Sequence, residues 1–110
     1  MEKHVKVLVS GKDLLPEAKR GRLEIELSKR GVEEVRDVKD ADVVIVVIGS
    51  DSTRARCAKA RDGGKPFFKM RAEMDSIFAS SMIGEAILPE DAARWAWSIV
   101  NEPEKWRSVR

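Results

Sequence analysis

At 110 residues, with 43% apolar and 36% charged, the chain can bury one modest core and is too apolar to stay disordered. A net charge of +2, with acids interspersed among the bases, lacks the electrostatic footprint of a dedicated nucleic-acid binder, so nucleic acid is not an expected partner. No apolar run approaches the roughly 20 residues of a membrane helix. The opening MEKHVKVLV is too short in apolar residues for a secretory signal, so the expected location is cytoplasmic and away from membranes.

Val5 to Val9 reads as a first strand, ended by Ser10, Gly11, Lys12 and Asp13. Pro16 suits the first turn of a helix, with Asp13 as a candidate cap. Glu17 to Arg30 is mostly helix formers, with Leu14, Ala18, Gly21 and Ile25 on one face, flanked by Leu23 and Leu27. Gly21 would permit close approach to a sheet, and Gly31 is a natural stop. Leu23 to Leu27 also alternates as a strand would, so a hairpin with Val32 to Val35 is the rival reading. The helix is preferred on composition and length.

Val32 to Val38 reads as a second strand and Asp42 to Ile48 as a third. A parallel crossover normally takes a dozen or more residues, and here only a few are present. Either the second strand is very short, or Val38 to Ala41 makes one tight turn, or the second strand runs antiparallel. The third strand is an uninterrupted Val/Ile run, the pattern of a strand buried on both faces. Ser52 or Thr53 can cap a helix over Arg54 to Arg61. A Gly/Pro loop at 62–66 leads to a strand over Pro66 to Met70. Glu73 to Ser81 reads as a short helix with Met74, Ile77 and Phe78 inward, and Ile83 to Leu88 as a last strand. Pro89, Glu90 and Asp91 open a final helix that buries Ala92, Trp95, Ala96, Ile99 and Val100. Asn101 and Pro103 end it, and Trp106 can fold back from the polar tail.

The alternation predicts a single α/β domain over 1–110, Rossmann-like or flavodoxin-like. It would be a three-layer sandwich whose mainly parallel sheet of about five strands has helices on both faces. In such sheets ligands sit beyond the carboxyl ends of the strands, near a switch in strand order. That places the candidate ligand-binding residues at Ser10, Gly11 and Lys12 and at Gly49, Ser50, Asp51, Ser52, Thr53 and Arg54. Small residues there let backbone N–H groups approach an anion, and hydroxyls and Arg54 add donors. The bland alternative is a βα loop whose polar residues only cap the helix. Arg54, Arg56, Lys59 and Arg61 form one local basic group with no acid among them.

Conventional nucleotide chemistry lacks its motifs. Neither GxGxxG nor GxxxxGKS/T spacing occurs, and no Ser or Thr follows Lys12 to hold magnesium. One cysteine, Cys57, excludes an internal disulfide and a multi-cysteine metal site, and no metal or cofactor is expected. His4, the one histidine, precedes the first strand, at the opposite end from the loops, which disfavours Cys–His and Ser–His–Asp catalysis. Cys57 is then best read as a structural thiol and His4 as a surface residue. Asp13, Asp51, Glu73 and Asp75 could supply paired carboxylates across the crevice, though capping or solvation explains each one singly. Trp97 and Trp106 are candidate contact aromatics, with a homodimer through the last helix as the corresponding expectation. The scarcity of amides and the dominance of Glu, Lys and Arg fit a thermostable protein or a designed surface.

The segment Ala41 to Phe68, ADVVIVVIGSDSTRARCAKARDGGKPFF, resembles small Rossmann-like domains of the TIR-like and nucleoside deoxyribosyltransferase-like groups. The resemblance covers the buried strand, its polar loop, the following helix and the GKP turn. It implies the fold and a ligand location at the polar loop. In those families a glutamate on this helix carries the glycosidic chemistry; here Arg54 to Ala60 reads RARCAKA, with no carboxylate. More loosely, GGKPFFKMRAEMD resembles the GTPase strand that ends in the guanine-reading N/TKxD motif. Ala72, Glu73, Met74 and Asp75 stand at the matching positions.

The expected function is therefore that of a small, non-catalytic module. It would bind an anionic small molecule (a nucleotide or phosphate) or a protein partner at the strand ends. One alternative is an enzyme acting on the N-glycosidic bond of a nucleotide or nucleoside through Asp51 or Asp13. A second is a structural or designed domain with no natural ligand.

Overall fold

The computed structural model describes residues 3–49, 51–72, 85, 86 and 88–109. Ser50, the expected helix over 73–81 with Glu73 and Asp75, and most of the expected strand over 83–88 lie outside the described residues. The rest forms a parallel sheet of four strands of four to six residues, β1 (Val5–Ser10), β2 (Val32–Val35), β3 (Val43–Ile48) and β4 (Phe67–Arg71). A two-residue segment, β5 (Glu85–Ala86), pairs in parallel with Lys69 and Met70. The order is β2-β1-β3-β4-β5. Three helices cover it: α1 (Glu17–Lys29), α2 (Thr53–Asp62) and α3 (Pro89–Asn101).

β3 sits between β1 and β4, and Val43, Val44, Ile45, Val46 and Val47 are all buried. Because side chains alternate along a strand, Val43, Ile45 and Val47 join one cluster and Val44 and Val46 another. The first cluster lies under α1 and α3, with Leu23, Leu27, Ala92, Ala93 and Ala96 packed on Val5, Val7, Val9, Phe68 and Met70. The second, smaller cluster lies under α2, through Cys57 and Ala60. Cys57 is thus the buried structural thiol that the sequence suggests.

The hairpin reading of 23–35 is overturned: α1 is a helix and β2 runs parallel to β1. The expected inward face of α1 is also corrected. Ile25 is 55% exposed, Ala18 is exposed, and nothing lies within 4 Å of a Cβ built on Gly21. The buried stripe instead runs through Leu23, Glu26 and Leu27, flanked by half-buried Lys19, Arg20 and Arg30. Leu23 and Leu27 lie one turn apart. Ile25 lies two residues from either, which at 3.6 residues per turn directs it away from them. Glu26, buried within this stripe, is 3.2 Å from Arg30 and 3.6 Å from Lys29. Burial alone would raise its carboxyl pKa; the Arg30 hydrogen bond and the charges of Lys29, Arg30 and Arg22 outweigh that and hold it below the usual carboxylate value. Asp13 is no cap: it stands exposed in a short 3-10 turn, Lys12–Leu14, and Pro16 holds the cap position of α1 without a side-chain bond.

The tight joint between the second and third strands has a geometric solution. Along β1, Val35 of β2 is level with Leu8, whereas Val43 of β3 is level with Val7. The chain therefore need not return the length of a strand before starting β3; it only crosses the face of β1. β2 ends at Val35 rather than Val38, and residues 36–42 make that crossing through a single 3-10 turn, Val38–Asp40. Asp42 closes the far end, its Oδ2 accepting from the Lys6 amide at 2.9 Å and its own amide donating to the Lys6 carbonyl. On this face the short link stands where a crossover helix would otherwise lie. Gly63, at the end of α2, lets it pack closely: a Cβ there would fall 2.7 Å from Val38 Cγ1.

The last helix matches expectation in span and in its proline start. Trp95 is half-buried between Phe68 and Trp106, edge to face at 5.4 and 5.6 Å. Trp106 does fold back, its Nε1 donating to Ser98 Oγ at 3.0 Å. Trp97, the other candidate contact aromatic, is partly buried against the large cluster. Among the described residues no helix is long and apolar enough to cross a membrane.

Candidate functional site

The strand order reverses between β1 and β3: β1 connects outward to β2, and β3 to β4 on the other side. A doubly wound sheet takes its ligands in the crevice at such a point. Two of the three residues expected after β1, Ser10 and Gly11, are at that crevice and line a cavity of about 340 Å³. Lys12 is not. Its ammonium turns toward α1 and β2, 2.6 Å from Glu24 and 2.9 Å from Glu34. Burial works to lower its pKa, but the two carboxylates raise it further, so Lys12 holds its proton above the ordinary lysine value. Glu24 is lowered in turn by the Lys12 hydrogen bond and charge. This closed cluster leaves Lys12 no role at the strand ends.

The loop after β3 also divides. Gly49 leaves the strand beside Ala72, whose Cβ would lie 3.3 Å from a Cβ at Gly49. Ser52 stands at the cap position of α2 without a side-chain capping bond; its hydroxyl instead accepts from Arg56 Nη1 at 2.7 Å. Asp51, Thr53 and Arg54 face a second, open depression of about 770 Å³ between α2 and β4, with Cys57, Arg61, Phe67 and Lys69. The expected single site at 10–12 and 49–54 is therefore two separate places.

Arg56 fills the crevice between β1 and β3. Its Nη2 donates to the Val47 carbonyl, and its guanidinium lies flat on Gly11. A Cβ at Gly11 would come within 2.7 Å of Arg56 Cζ, and the φ of +86° at Gly11 is one that other residues rarely adopt. The left-handed backbone is what calls for glycine here, while its missing side chain leaves room for the guanidinium as it lies. Arg56 Nε is buried and finds no acceptor among the described residues.

Beside this guanidinium the 340 Å³ cavity opens on the α2 face of β1. Its floor on this face is Leu8 and Val44; one wall is Arg36, Asp37 and Val38 of the short link, and the other is Arg56 and Lys59 of α2. Three cations thus face one cavity with a single carboxylate, Asp37, among the lining residues. Arg36 and Lys59 are exposed and make no ion pair or side-chain hydrogen bond among the described residues. Arginine keeps its charge throughout the accessible pH range. The local basic group in the sequence was a usable signal for this wall. Arg56 and Lys59 come from it, while Arg54 and Arg61 turn to the other depression. Arg36 carried no such signal, because it reaches the cavity only through the path of the link.

His4 lies at the opposite end, exposed, 3.0 Å from Glu33. Asp13 and Asp51 are exposed and neither lines the cation-lined cavity. Among the described residues no group of histidine, cysteine or acidic side chains has the arrangement of a metal site. No protein-family model and no curated protein matches the chain.

Proposed function

We propose that this protein is a small-molecule binding module. It takes a compact anionic ligand, a phosphate-bearing one, in the cavity between the 36–42 link and α2. The observation that carries this reading is the convergence of Arg36, Arg56 and Lys59 on one 340 Å³ cavity with Asp37 as the one acid among its described lining residues. Like charges gathered round a concave, partly desolvated wall repel one another, and an anion between them relieves that repulsion. Planar guanidinium groups also suit phosphate oxygens in pairs. The position supports the same reading: the cavity adjoins the switch point between β1 and β3, and sheets of this strand order take their ligands at that end. The volume falls at the small end of the range for ligand sites, roughly 300–1,000 Å³. With one exposed carboxylate and no histidine or thiol on its lining, the cavity is equipped to hold an anion rather than to transform it.

The test is calorimetric titration with inorganic phosphate and ribose 5-phosphate, alongside thermal unfolding. A ligand at a hundredfold excess over its Kd stabilises the fold by about 2.7 kcal/mol. Saturable binding that is lost in an Arg36→Ala, Lys59→Ala double variant supports the reading. Absence of heat and of any thermal shift, or binding that survives the double variant, contradicts it.

A further inference from the structure

Arg56 has a feature that a purely stabilising arginine does not need. Two of its nitrogens are tied down, to the Val47 carbonyl and to Ser52 Oγ at 2.7 Å, while Nε is buried without an acceptor among the described residues. Buried N–H groups are ordinarily paired, and leaving one unpaired is unfavourable. The guanidinium also occupies the one place where a doubly wound sheet usually receives its ligand, and Gly11, with its left-handed backbone, is shaped to admit it. The chain thus carries its own occupant of the switch-point crevice. The cation-lined cavity begins where that occupant ends.

Resting on the small-anion reading above, we infer that Arg56 is the specificity determinant of the site. Its guanidinium seals the β1–β3 crevice, so the site accepts a phosphate group with a small substituent and disfavours nucleotides, whose nucleoside part finds no room between the two strands. The planar fork does the sealing and the positive charge does the anion binding. Lysine in its place separates the two roles: it keeps the charge but has no flat surface to lay on Gly11 and no pair of donors to span Val47 and Ser52.

The experiment compares wild type, Arg56→Lys and Arg56→Ala for binding of inorganic phosphate and AMP by calorimetry. The readout is the ratio of the two dissociation constants, which a loss of stability alone does not move. Wild type is expected to bind phosphate at least tenfold more tightly than AMP. Arg56→Lys should hold phosphate within a few-fold and shift the ratio at least tenfold toward AMP; Arg56→Ala should shift it in the same direction with weaker phosphate binding. Should either variant fail to fold, Ser52→Ala, which removes the acceptor of Nη1, should give a smaller shift of the same sign. An unchanged ratio across the folded variants, or a wild type that already binds AMP as tightly as phosphate, overturns the inference and leaves the anion site standing. AMP binding gained by Arg56→Lys with no phosphate binding in wild type supports the seal and overturns the small-anion reading. No binding of either probe to any of these proteins overturns both.

Discussion

The two faces of the sheet share one central strand and are built differently. Under α1 and α3, Ile45, Val43 and Val47 meet a continuous apolar layer that includes Leu23, Leu27, Phe68 and Met70. Under α2, Val44 and Val46 meet only a small cluster around Ala41, Cys57 and Ala60, and the remaining space is a cavity walled by cations. The cause lies in the link between β2 and β3. A crossover helix would have covered this face of β1; the one-residue offset between Val35 and Val43 lets residues 36–42 cross instead, and they leave a gap. One face holds the larger apolar core, and the other keeps the open cavity to which binding is assigned above.

The comparison can be broken most forcefully in the core. Val43→Ala and Val46→Ala delete the same two methyl groups from fully buried positions on the two faces; in urea denaturation the first should cost about 3 kcal/mol and the second, on the thinner face, about 1.5 kcal/mol. Equal losses on the two faces would refute the asymmetry. The next effect concerns the link. Gly63→Ala sets a methyl group against Val38 Cγ1, and overpacking of this kind should cost about 1–3 kcal/mol, whereas Gly21→Ala, which meets nothing within 4 Å, should stabilise α1 by up to about 1 kcal/mol.

A pH titration sharpens the stable face further. The Glu26 carboxyl pKa is lowered below its ordinary value of 4.5 in the folded protein, so its ion pairs add stability that is fully present above that pH and is lost as pH falls through the folded value. The stability difference between wild type and Glu26→Gln should be constant near neutrality and shrink once the pH drops below 4.5. A difference that does not change with pH would show that the buried carboxylate adds nothing through its charge. The smallest effects belong to the cavity wall. Arg36→Ala and Lys59→Ala should each change stability by no more than about 0.5 kcal/mol, as befits exposed side chains that make no ion pair or side-chain hydrogen bond among the described residues. Each should nevertheless weaken phosphate binding several-fold.

Much of the frame was legible in the chain. The Val/Ile run announces a strand buried on both faces, and its flanking turns place the loops. The facing of α1 was not legible, because Leu14, Ala18 and Ile25 form as good an apolar stripe in the sequence as Leu23 and Leu27. Packing against α3 and the sheet selects the second stripe, and Glu26 within it is tolerated only because three cations surround it. At the site, topology led to Ser10 and Gly11, which line the cation-walled cavity, but not to the fate of Lys12, which depends on Glu24 and Glu34 from two other elements. The cavity itself escaped notice because its wall joins Arg36 to Lys59 across a link whose path is set by strand register, a property that no local pattern encodes. That Arg56 turns back into the crevice follows from Gly11, where the absence of a side chain makes room for the guanidinium of a distant residue.

The most direct test of the account is a titration of isotopically labelled protein with inorganic phosphate, followed by amide chemical shifts. The account predicts saturable changes confined to Ser10 and Gly11, to Arg36 through Val38, and to Arg56 through Lys59. Changes centred on Asp51, Arg61 and Lys69, or no saturable change at all, would contradict it.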